Sequence, residues 1–350
     1  MDFFKHGGDI YRNDIKLDFS SNISMLGIPS RVTQAMQSAI AKTIAYPDET
    51  CSALKQAIAS SFHVEAEHVF CGNGASEVIY ATIRAVAPTK AMVLAPTFSE
   101  YERAFRSISC QMCYYDLKKE LEFELDDEIL ERIKGEEGLE MLVLCNPNNP
   151  TGAVINAELL DRILAICSEK NIFCMVDECF LSFTKVYFEK TLLAKYAQYG
   201  NLLVLHAFTK MYAIPGVRLG FGVCSNRTLL EKMEYQVPCW SVSTIAQAAG
   251  VIACDEIEYV EQVKCLTYKE QDYLVDALKP FVKKLYTPTA NYMLFEDFLG
   301  LDKSLQEKGI LIRNCSNYRG LCEGFYRIAI RSHEENEELV SCMREVHVGG

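Results

Sequence analysis

Short apolar runs alternate with helical patterns through the middle of the chain, and this alternation limits the fold more than any other feature. The predicted strands are Ala91–Leu94, Met141–Leu144, Ile172–Val176, Leu202–Leu205 and Leu219–Val223. The predicted helices are Thr50–Ser61, Glu77–Val86, Glu100–Ser107, Ala157–Lys170 and Leu192–Tyr199. Strands that are joined by helices run parallel, and helices cover both faces of such a sheet. The pattern therefore predicts an α/β fold with a mostly parallel sheet.

The pattern changes near residue 244. A helical stretch over Thr244–Leu278 is followed by three strand-like runs, Asn291–Glu296, Gly309–Arg313 and Phe325–Arg331. This order predicts a smaller α+β domain, and we expect the N-terminal residues to pack with it. The predicted organisation is a large domain of residues 39–243 and a discontinuous small domain of residues 1–38 and 244–350.

The composition limits the classes of partner. The 350-residue chain carries a net charge of −12, which argues against nucleic acid as a partner. Its apolar runs are too short for a membrane span, and its first residues lack the pattern of a secretion signal, so we expect a cytoplasmic protein. The 15 cysteines are expected to be reduced thiols. The single pair Cys110 and Cys113 is too little to indicate a metal site, so no metal is expected.

Polar residues follow the apolar runs at the points where the predicted strands end. Asp177 follows one run, Lys210 lies shortly after another, and the segment Asn-Pro-Asn-Asn-Pro-Thr-Gly follows a third. Ligands of parallel sheets bind at this edge. A lysine can form a Schiff base with an aldehyde, a carboxylate can keep a pyridine nitrogen protonated, and an amide can bind a phenolic oxygen. The three groups indicate a site for pyridoxal phosphate (PLP). The alternative is that Asp177 caps a helix and the asparagines only form a turn.

A glycine-rich segment, Cys71–Glu77, precedes a predicted helix. Glycines let backbone N–H groups approach an anion, and the start of a helix adds free donors and a partial positive charge. Ser76 adds a hydroxyl, and the downstream Arg218 can bind a phosphate through two hydrogen bonds. The alternatives are an ordinary capped turn and a surface ion pair. Phe98 follows another strand and either stacks on a flat ring or fills the core.

The chain has more basic residues near these motifs than a cofactor phosphate needs. Arg327 and Arg331 are four positions apart in a predicted strand and would share one face of it. Arg313 precedes the segment Asn314–Tyr318, and His6 lies near the start of the chain. These residues indicate an anionic substrate. The alternative is that they are solvated surface side chains.

Together these motifs resemble the fold-type I PLP enzymes of the class I and II aminotransferase group. The motifs that carry the resemblance are Gly72–Glu77, residues 146–152, Val176–Glu178, Thr209-Lys210 and Gly216–Gly220. Within that group the chain is most similar to the L-threonine-O-3-phosphate decarboxylases of cobalamin synthesis, which are relatives of the histidinol-phosphate aminotransferases. That similarity depends mainly on His6–Gly8, residues 96–101 and residues 310–318, and it extends over essentially the whole chain.

The resemblance implies a role for each matching residue. At the cofactor it implies Lys210 at the aldehyde, Asp177 at the pyridine nitrogen, Asn149 at the phenolic oxygen, Phe98 on the ring, and Ala75, Ser76, Thr209 and Arg218 at the phosphate. Tyr46 matches a tyrosine that reaches across a homodimer interface to the cofactor phosphate of the partner subunit. At the substrate it implies Arg327 with Asn22 for a carboxylate, and His6, Arg313 and Arg331 as candidates for a phosphate.

The resemblance implies a homodimeric PLP-dependent decarboxylase that converts L-threonine O-3-phosphate, or a similar phosphorylated amino acid, to an aminopropanol phosphate. Phe180 favours this reading, because aminotransferases of the group usually have a tyrosine there. Ala207 and Ser24-Met25 depart from the pattern of the group, and the second departure lies on the substrate side. Two alternatives stay open: an aminotransferase, such as one for histidinol phosphate, and a non-catalytic sensor module with the same fold.

Overall fold

The computed structural model describes residues 6–11 and 14–349. The strands are β1 (Leu17–Asp18), β2 (Val69–Gly72), β3 (Lys90–Ala95), β4 (Gln111–Asp116), β5 (Met141–Cys145), β6 (Phe173–Asp177), β7 (Leu202–Ala207), β8 (Gly220–Val223), β9 (Lys284–Leu285), β10 (Tyr292–Glu296), β11 (Ile310–Leu311), β12 (Arg313–Asn314) and β13 (Phe325–Ala329). The helices are α1 (Ser30–Ile40), α2 (Ser52–Phe62), α3 (Ala75–Val86), α4 (Glu100–Arg106), α5 (Glu128–Gly135), α6 (Ala157–Glu169), α7 (Tyr187–Lys190), α8 (Arg227–Glu234), α9 (Thr244–Ala253), α10 (Ile257–Leu278), α11 (Leu301–Glu307) and α12 (His333–Gly349).

A seven-stranded sheet with the order β2-β8-β7-β6-β5-β3-β4 forms the larger part of the fold. Strands β3, β4, β5, β6 and β7 run parallel to one another, and β8 is antiparallel to both of its neighbours, β2 and β7. Every residue of β5 and β6 is buried, because apolar side chains point to both faces of these strands and helices cover both. The predicted α/β fold with a mostly parallel sheet is confirmed.

The carboxyl ends of the central parallel strands meet at one edge of this sheet. The backbone N–H of Asn146, just after β5, donates to the carbonyl of Asp177 at the end of β6, at 2.8 Å. The N–H of Glu178 in turn donates to the carbonyl of Leu205 in β7, at 2.9 Å. The polar residues that follow these strands are therefore held side by side, as expected for a ligand site of a parallel sheet.

The smaller part of the fold is built on an antiparallel sheet with the order β12-β13-β10-β9. A second, short sheet pairs β1 with β11 in parallel, which ties the N-terminal segment to this part. A separate hydrophobic cluster supports both sheets, and it contains Phe19, Leu274, Phe295 and Leu339.

The two hydrophobic clusters divide the chain at positions other than the predicted domain boundaries. Val32 of α1, Ala249 of α9 and Val263 of α10 belong to the larger cluster, whereas Phe19 and the end of α10 belong to the smaller one. The boundaries at residues 38 and 243 stay a prediction. Packing places one change of core before α1 and one inside α10, and Tyr286, Tyr292 and Phe325, later in the chain, belong again to the larger cluster.

Two helix predictions are wrong in detail. Residues 192–199 form two short 3₁₀ turns, because the backbone leaves the helical conformation between them, at Lys195 (φ −137°, ψ 6°). The stretch Thr244–Leu278 is two helices, α9 and α10. The chain breaks at Glu256, whose carboxylate pairs with Arg31 of α1 at 3.1 Å.

Candidate active site

Lys210 lies three residues beyond the end of β7, in a tight turn. The backbone carbonyl of Lys210 accepts a hydrogen bond from the N–H of Ser24 at 2.9 Å, which fixes the turn against the N-terminal segment. The side-chain amine lies 5.3 Å from the centre of the Phe180 ring. Lys210 forms no ion pair with any residue in the described ranges 6–11 and 14–349. The amine is therefore available to a ligand.

Asp177 is the last residue of β6, and its carboxylate is buried. It accepts the hydroxyl of Tyr101 at 2.6 Å and the backbone N–H of Cys179 at 2.9 Å. Burial, followed by the charge of Asp177, raises the pKa of Tyr101 well above its ordinary value, so the phenol stays a donor. The two donors fix the orientation of the carboxylate.

Asn149 and Arg327 meet at the boundary between the two sheets. The guanidinium of Arg327 donates through Nη1 to the side-chain oxygen of Asn149 and through Nη2 to the carbonyl of Ser20 at 2.8 Å. Arg327 is only 5% exposed, and its Nε is buried without a hydrogen-bond partner in the described part of the chain, as is the side-chain oxygen of Asn22. A buried donor without a partner costs free energy, so these atoms are suited to a polar ligand.

The loop between β2 and α3 forms a cradle for an anion. Gly74 precedes α3 with φ +84°, and no side chain caps the start of this helix, so its first N–H groups are open. A Cβ atom on Gly74 would lie 2.4 Å from Nη2 of Arg218, and one on Gly220 would lie 2.4 Å from the backbone nitrogen of Ala75. Both glycines are therefore needed for the close approach of the loop, β8 and the guanidinium. This arrangement suits a phosphate.

Phe98 lies in the loop after β3, next to the residues that hold Asp177. Its ring contacts the edge of Tyr101, with ring centres 5.6 Å apart, and lies 5.5 Å from the ring of His6. His6 is in turn paired with Glu100 of α4 at 2.9 Å. This carboxylate partner makes His6 a weaker candidate for a substrate phosphate than the sequence indicates.

Arg313 lies directly opposite Arg327 across β12 and β13. Both arginines are buried, at 7% and 5% exposure. Arg313 donates to the side-chain oxygen of Asn317 at 2.7 Å, and its guanidinium lies 5.1 Å from the centre of the Tyr318 ring. Like charges at directly opposed positions of a sheet repel each other. The register places both arginines on the same face of the smaller sheet.

Two further predicted site residues have contacts of their own. β13 ends at Ala329, so the argument that Arg327 and Arg331 share one face of a strand is wrong. Arg331 pairs with Glu335 at 2.7 Å and keeps a buried, unpartnered Nε. Tyr46 is 77% exposed and stacks on Trp240, with ring centres 4.3 Å apart. Its role at the partner's cofactor stays a prediction.

The sequence reasoning missed two residues that support the site. Tyr101 holds Asp177, and the sequence marks it only as the last residue of the segment 96–101 that carries the family resemblance. Tyr292 donates its hydroxyl to the carbonyl of Asn148 at 2.9 Å and contacts the edge of the Phe180 ring. Ala290-Asn291-Tyr292 is one of the segments that resemble the decarboxylases, but nothing in it indicates this hydrogen bond.

These groups fit PLP. The cradle at Gly74 suits its phosphate, the carboxylate of Asp177 its pyridine nitrogen, the amide of Asn149 its phenolic oxygen and the amine of Lys210 its aldehyde. The individual assignments stay predictions. Within the described residues, no group of three or more His, Cys, Asp or Glu side chains is arranged to hold a metal ion. No helix in the same part of the chain combines the length and apolar character needed to cross a membrane.

Comparisons with known proteins agree with this geometry. The family of class I and II aminotransferases matches residues 14–342. The chain is 34% identical to the threonine-phosphate decarboxylase of Salmonella typhimurium, with 98% of this chain and 97% of that protein covered. It is 25% identical to the histidinol-phosphate aminotransferase of Methanococcus aeolicus, with 94% and 90% covered. The solved structure of the histidinol-phosphate aminotransferase from Clostridium acetobutylicum superposes with a TM-score of 0.89 at 27% identity, with 95% of this chain and 100% of that chain covered.

Proposed function

Because the chain belongs to the class I and II aminotransferase family, we propose that it is a carboxy-lyase that decarboxylates L-threonine O-3-phosphate to an aminopropanol phosphate. The observation that carries the proposal is the pair of opposed, buried arginines, Arg313 and Arg327, at the edge of the cofactor site. A substrate with both a carboxylate and a phosphate presents one anion for each guanidinium. The similarity to a threonine-phosphate decarboxylase, which exceeds that to a histidinol-phosphate aminotransferase, supports the same substrate.

The enzyme uses PLP as its cofactor. When bound, this group accepts the electron pair of the bond that breaks at Cα of the substrate. Lys210 would hold the cofactor aldehyde, Asp177 would keep the pyridine nitrogen protonated, and the Gly74 cradle with Ser76, Thr209 and Arg218 would bind the cofactor phosphate. Once the substrate amine has displaced Lys210 from the aldehyde, the freed and protonated amine of Lys210 would return a proton to Cα after carbon dioxide leaves.

The substrate arginines decide which bond breaks, because they fix the direction of the substrate carboxylate. Arg327 is itself fixed by Asn149 and by the carbonyl of Ser20, so its guanidinium has little freedom. It binds the carboxylate, with Asn22 beside it. Arg313 binds the substrate phosphate. A charge-assisted hydrogen bond of this kind contributes about 1.5–3 kcal/mol, or roughly ten- to a hundredfold in binding.

The second candidate function is transamination, for example of histidinol phosphate. The close superposition on a histidinol-phosphate aminotransferase favours it, since that enzyme also acts on a phosphorylated amine. Phe180 favours decarboxylation, because the buried phenyl ring beside Lys210 gives no hydrogen bond to the cofactor.

The active form is a homodimer in the cytoplasm, with a shared active site. Tyr46 supports this part of the proposal, because its ring is exposed on the surface of the protomer, where a partner subunit can contact it. Trp240 stacks on the ring and fixes its orientation. Light scattering that finds a fully active monomer would contradict the dimer.

The test is to incubate the PLP-loaded enzyme with L-threonine O-3-phosphate and to measure carbon dioxide and oxo acid in parallel. Carbon dioxide should appear in step with substrate loss, without an added amino acceptor. Unphosphorylated L-threonine should have a kcat/KM lower by several orders of magnitude, since the phosphate contacts are lost. A reaction on histidinol phosphate that requires 2-oxoglutarate and outruns carbon dioxide release would establish the second candidate instead.

A further inference from the structure

The turn that carries Lys210 is bonded to Ser24 of the N-terminal segment. The backbone N–H of Ser24 donates to the carbonyl of Lys210 at 2.9 Å, which is a shorter contact than the one of 3.4 Å from the N–H of Ala213 within the turn. Ser24 is itself buried. The position of the Lys210 backbone therefore depends on where Ser24 lies.

Tyr259, in the first turn of α10, fixes Ser24. Its hydroxyl donates to the carbonyl of Gly27 at 2.6 Å and lies 3.0 Å from the hydroxyl of Ser24. A phenol has one proton, so Ser24 is the donor in the second bond, and the Ser24 oxygen accepts in turn from the N–H of Leu26 at 3.4 Å. Burial raises the pKa of Tyr259, which keeps its phenol protonated. These three hydrogen bonds hold residues 24–27 in one arrangement against α10.

The ring of Tyr259 reaches the same turn by a second route. It stacks on the ring of Tyr212 with centres 6.1 Å apart, and Tyr212 stacks on Phe208 with centres 5.7 Å apart. Phe208 and Tyr212 lie on either side of Lys210 in the sequence, and both are buried. Tyr259 thus supports the Lys210 turn through the hydroxyl, by way of Ser24, and through the ring.

The same N-terminal segment also holds Arg327. The carbonyl of Ser20 accepts a hydrogen bond from the guanidinium of Arg327 at 2.8 Å. Ser20 has support of its own, because its N–H and its hydroxyl both donate to the carboxylate of Asp18, at 2.8 and 2.6 Å. A change at Ser24 should therefore displace Lys210 more than Arg327.

We propose that Tyr259 is a positioning residue, which holds the Lys210 turn through Ser24 so that the amine lies at the correct distance from the cofactor aldehyde and from Cα of the substrate. The inference rests on the proposed role of Lys210. Proton transfer requires the amine within hydrogen-bond reach of Cα, and a small displacement lowers its rate. Because other residues bind PLP and the substrate, the loss of this support should lower kcat and leave KM nearly unchanged.

Tyr259→Phe removes the hydroxyl and keeps the ring on Tyr212. It should lower kcat for L-threonine O-3-phosphate roughly threefold to tenfold, as expected for one hydrogen bond, with KM within about twofold. Ser24→Ala keeps the backbone N–H and tests the same bond without a change in α10, so it should also lower kcat. The double variant should lose no more than Tyr259→Phe alone, because the bond is already absent there. The control is Tyr273→Phe, which removes a hydroxyl from the same helix beside the smaller cluster.

A second readout, independent of turnover, is the rate at which apoenzyme and PLP form the adduct that borohydride reduces. Tyr259→Phe should slow this step by a similar factor, while its midpoint of thermal unfolding stays near that of Tyr273→Phe. Rates equal to those of Tyr273→Phe, a change of KM without a change of kcat, or additive losses in the double variant would overturn the inference alone. An adduct on a lysine other than Lys210 would overturn the proposed role of Lys210 as well, so the two failures are distinguishable.

Discussion

The guanidinium of Arg327 donates a hydrogen bond to the side-chain oxygen of Asn149, which lies 178 positions earlier in the chain. This contact joins the proposed anchor of the substrate carboxylate to the proposed partner of the cofactor's phenolic oxygen. The orientation of one group therefore depends on the position of the other. Arg327 also binds the carbonyl of Ser20, so the N-terminal segment contributes to the same arrangement.

Arg327→Lys should lower kcat/KM for L-threonine O-3-phosphate by roughly ten- to a hundredfold. A lysine keeps the charge but cannot bind Asn149, Ser20 and a carboxylate together. The matched control is Arg162→Lys, because Arg162 is an exposed arginine of α6 that pairs with Asp127 at 3.0 Å. Steady-state kinetics on both variants provide the measurement. Equal losses in the two variants would contradict the role of Arg327.

Lys210→Ala should abolish turnover and remove the PLP adduct that borohydride reduces in the parent enzyme. The reason is that the side chain of Lys210 supplies both the amine for the aldehyde and the proton for Cα. Mass spectrometry of peptides from the reduced parent enzyme identifies the modified residue. Lys264→Ala, which removes a lysine from α10, should keep the adduct. Reduced cofactor on another lysine in the parent enzyme would refute the assignment.

Asp177→Asn should leave PLP bound and lower kcat by orders of magnitude, since a neutral amide does not hold the pyridine nitrogen protonated. Tyr101→Phe removes one of the two donors to Asp177 but keeps the carboxylate, so its loss should be smaller, about tenfold. Kinetics and the absorbance of bound PLP provide the measurements. If Tyr101→Phe lowered kcat as much as Asp177→Asn, the larger role given to the carboxylate of Asp177 would be wrong.

Gly74→Ala should weaken PLP binding strongly. The new Cβ would overlap Nη2 of Arg218, and φ +84° adds backbone strain. Gly27→Ala separates the two effects, because Gly27 also has a positive φ, +72°, but no atom lies within 4 Å of its added Cβ. Gly27→Ala should lower thermal stability and leave the dissociation constant of PLP nearly unchanged. Equal PLP affinity in the two variants would contradict the role of the Gly74 loop in binding the cofactor phosphate.

The stability of the fold should fall as the pH rises above 10. Burial raises the pKa of Tyr101 and of Tyr292 well above the ordinary value of 10 in the folded protein. Above pH 10 the unfolded chain has therefore lost protons that the folded protein keeps, which favours unfolding. Denaturant titrations between pH 8 and 11 provide the measurement. Tyr101→Phe should make this decline shallower, and an unchanged slope would contradict the contribution of Tyr101.

The sequence predicts the parts of the fold and of the site that depend on local pattern. Apolar runs such as those of β5 and β6 specify buried parallel strands, and the glycines around Gly74 specify a close approach of the backbone. The contacts of Tyr101 with Asp177 and of Arg327 with Asn149 depend on which distant segments meet. The break between the two turns at residues 192–199 lies at Lys195, and no local feature of the sequence indicates it.

The larger hydrophobic cluster includes α9 and the first turns of α10, which come late in the chain. Ala246, Ala249 and Ala253 of α9 fill space beside α1 and α2, from the beginning of the chain. During synthesis on the ribosome, the sheet of β2 to β8 is therefore complete before the cluster that supports it. The apolar faces of α1 and α2 that α9 covers stay exposed until α9 has emerged, so this interval is the time at which the nascent protein most needs protection from aggregation.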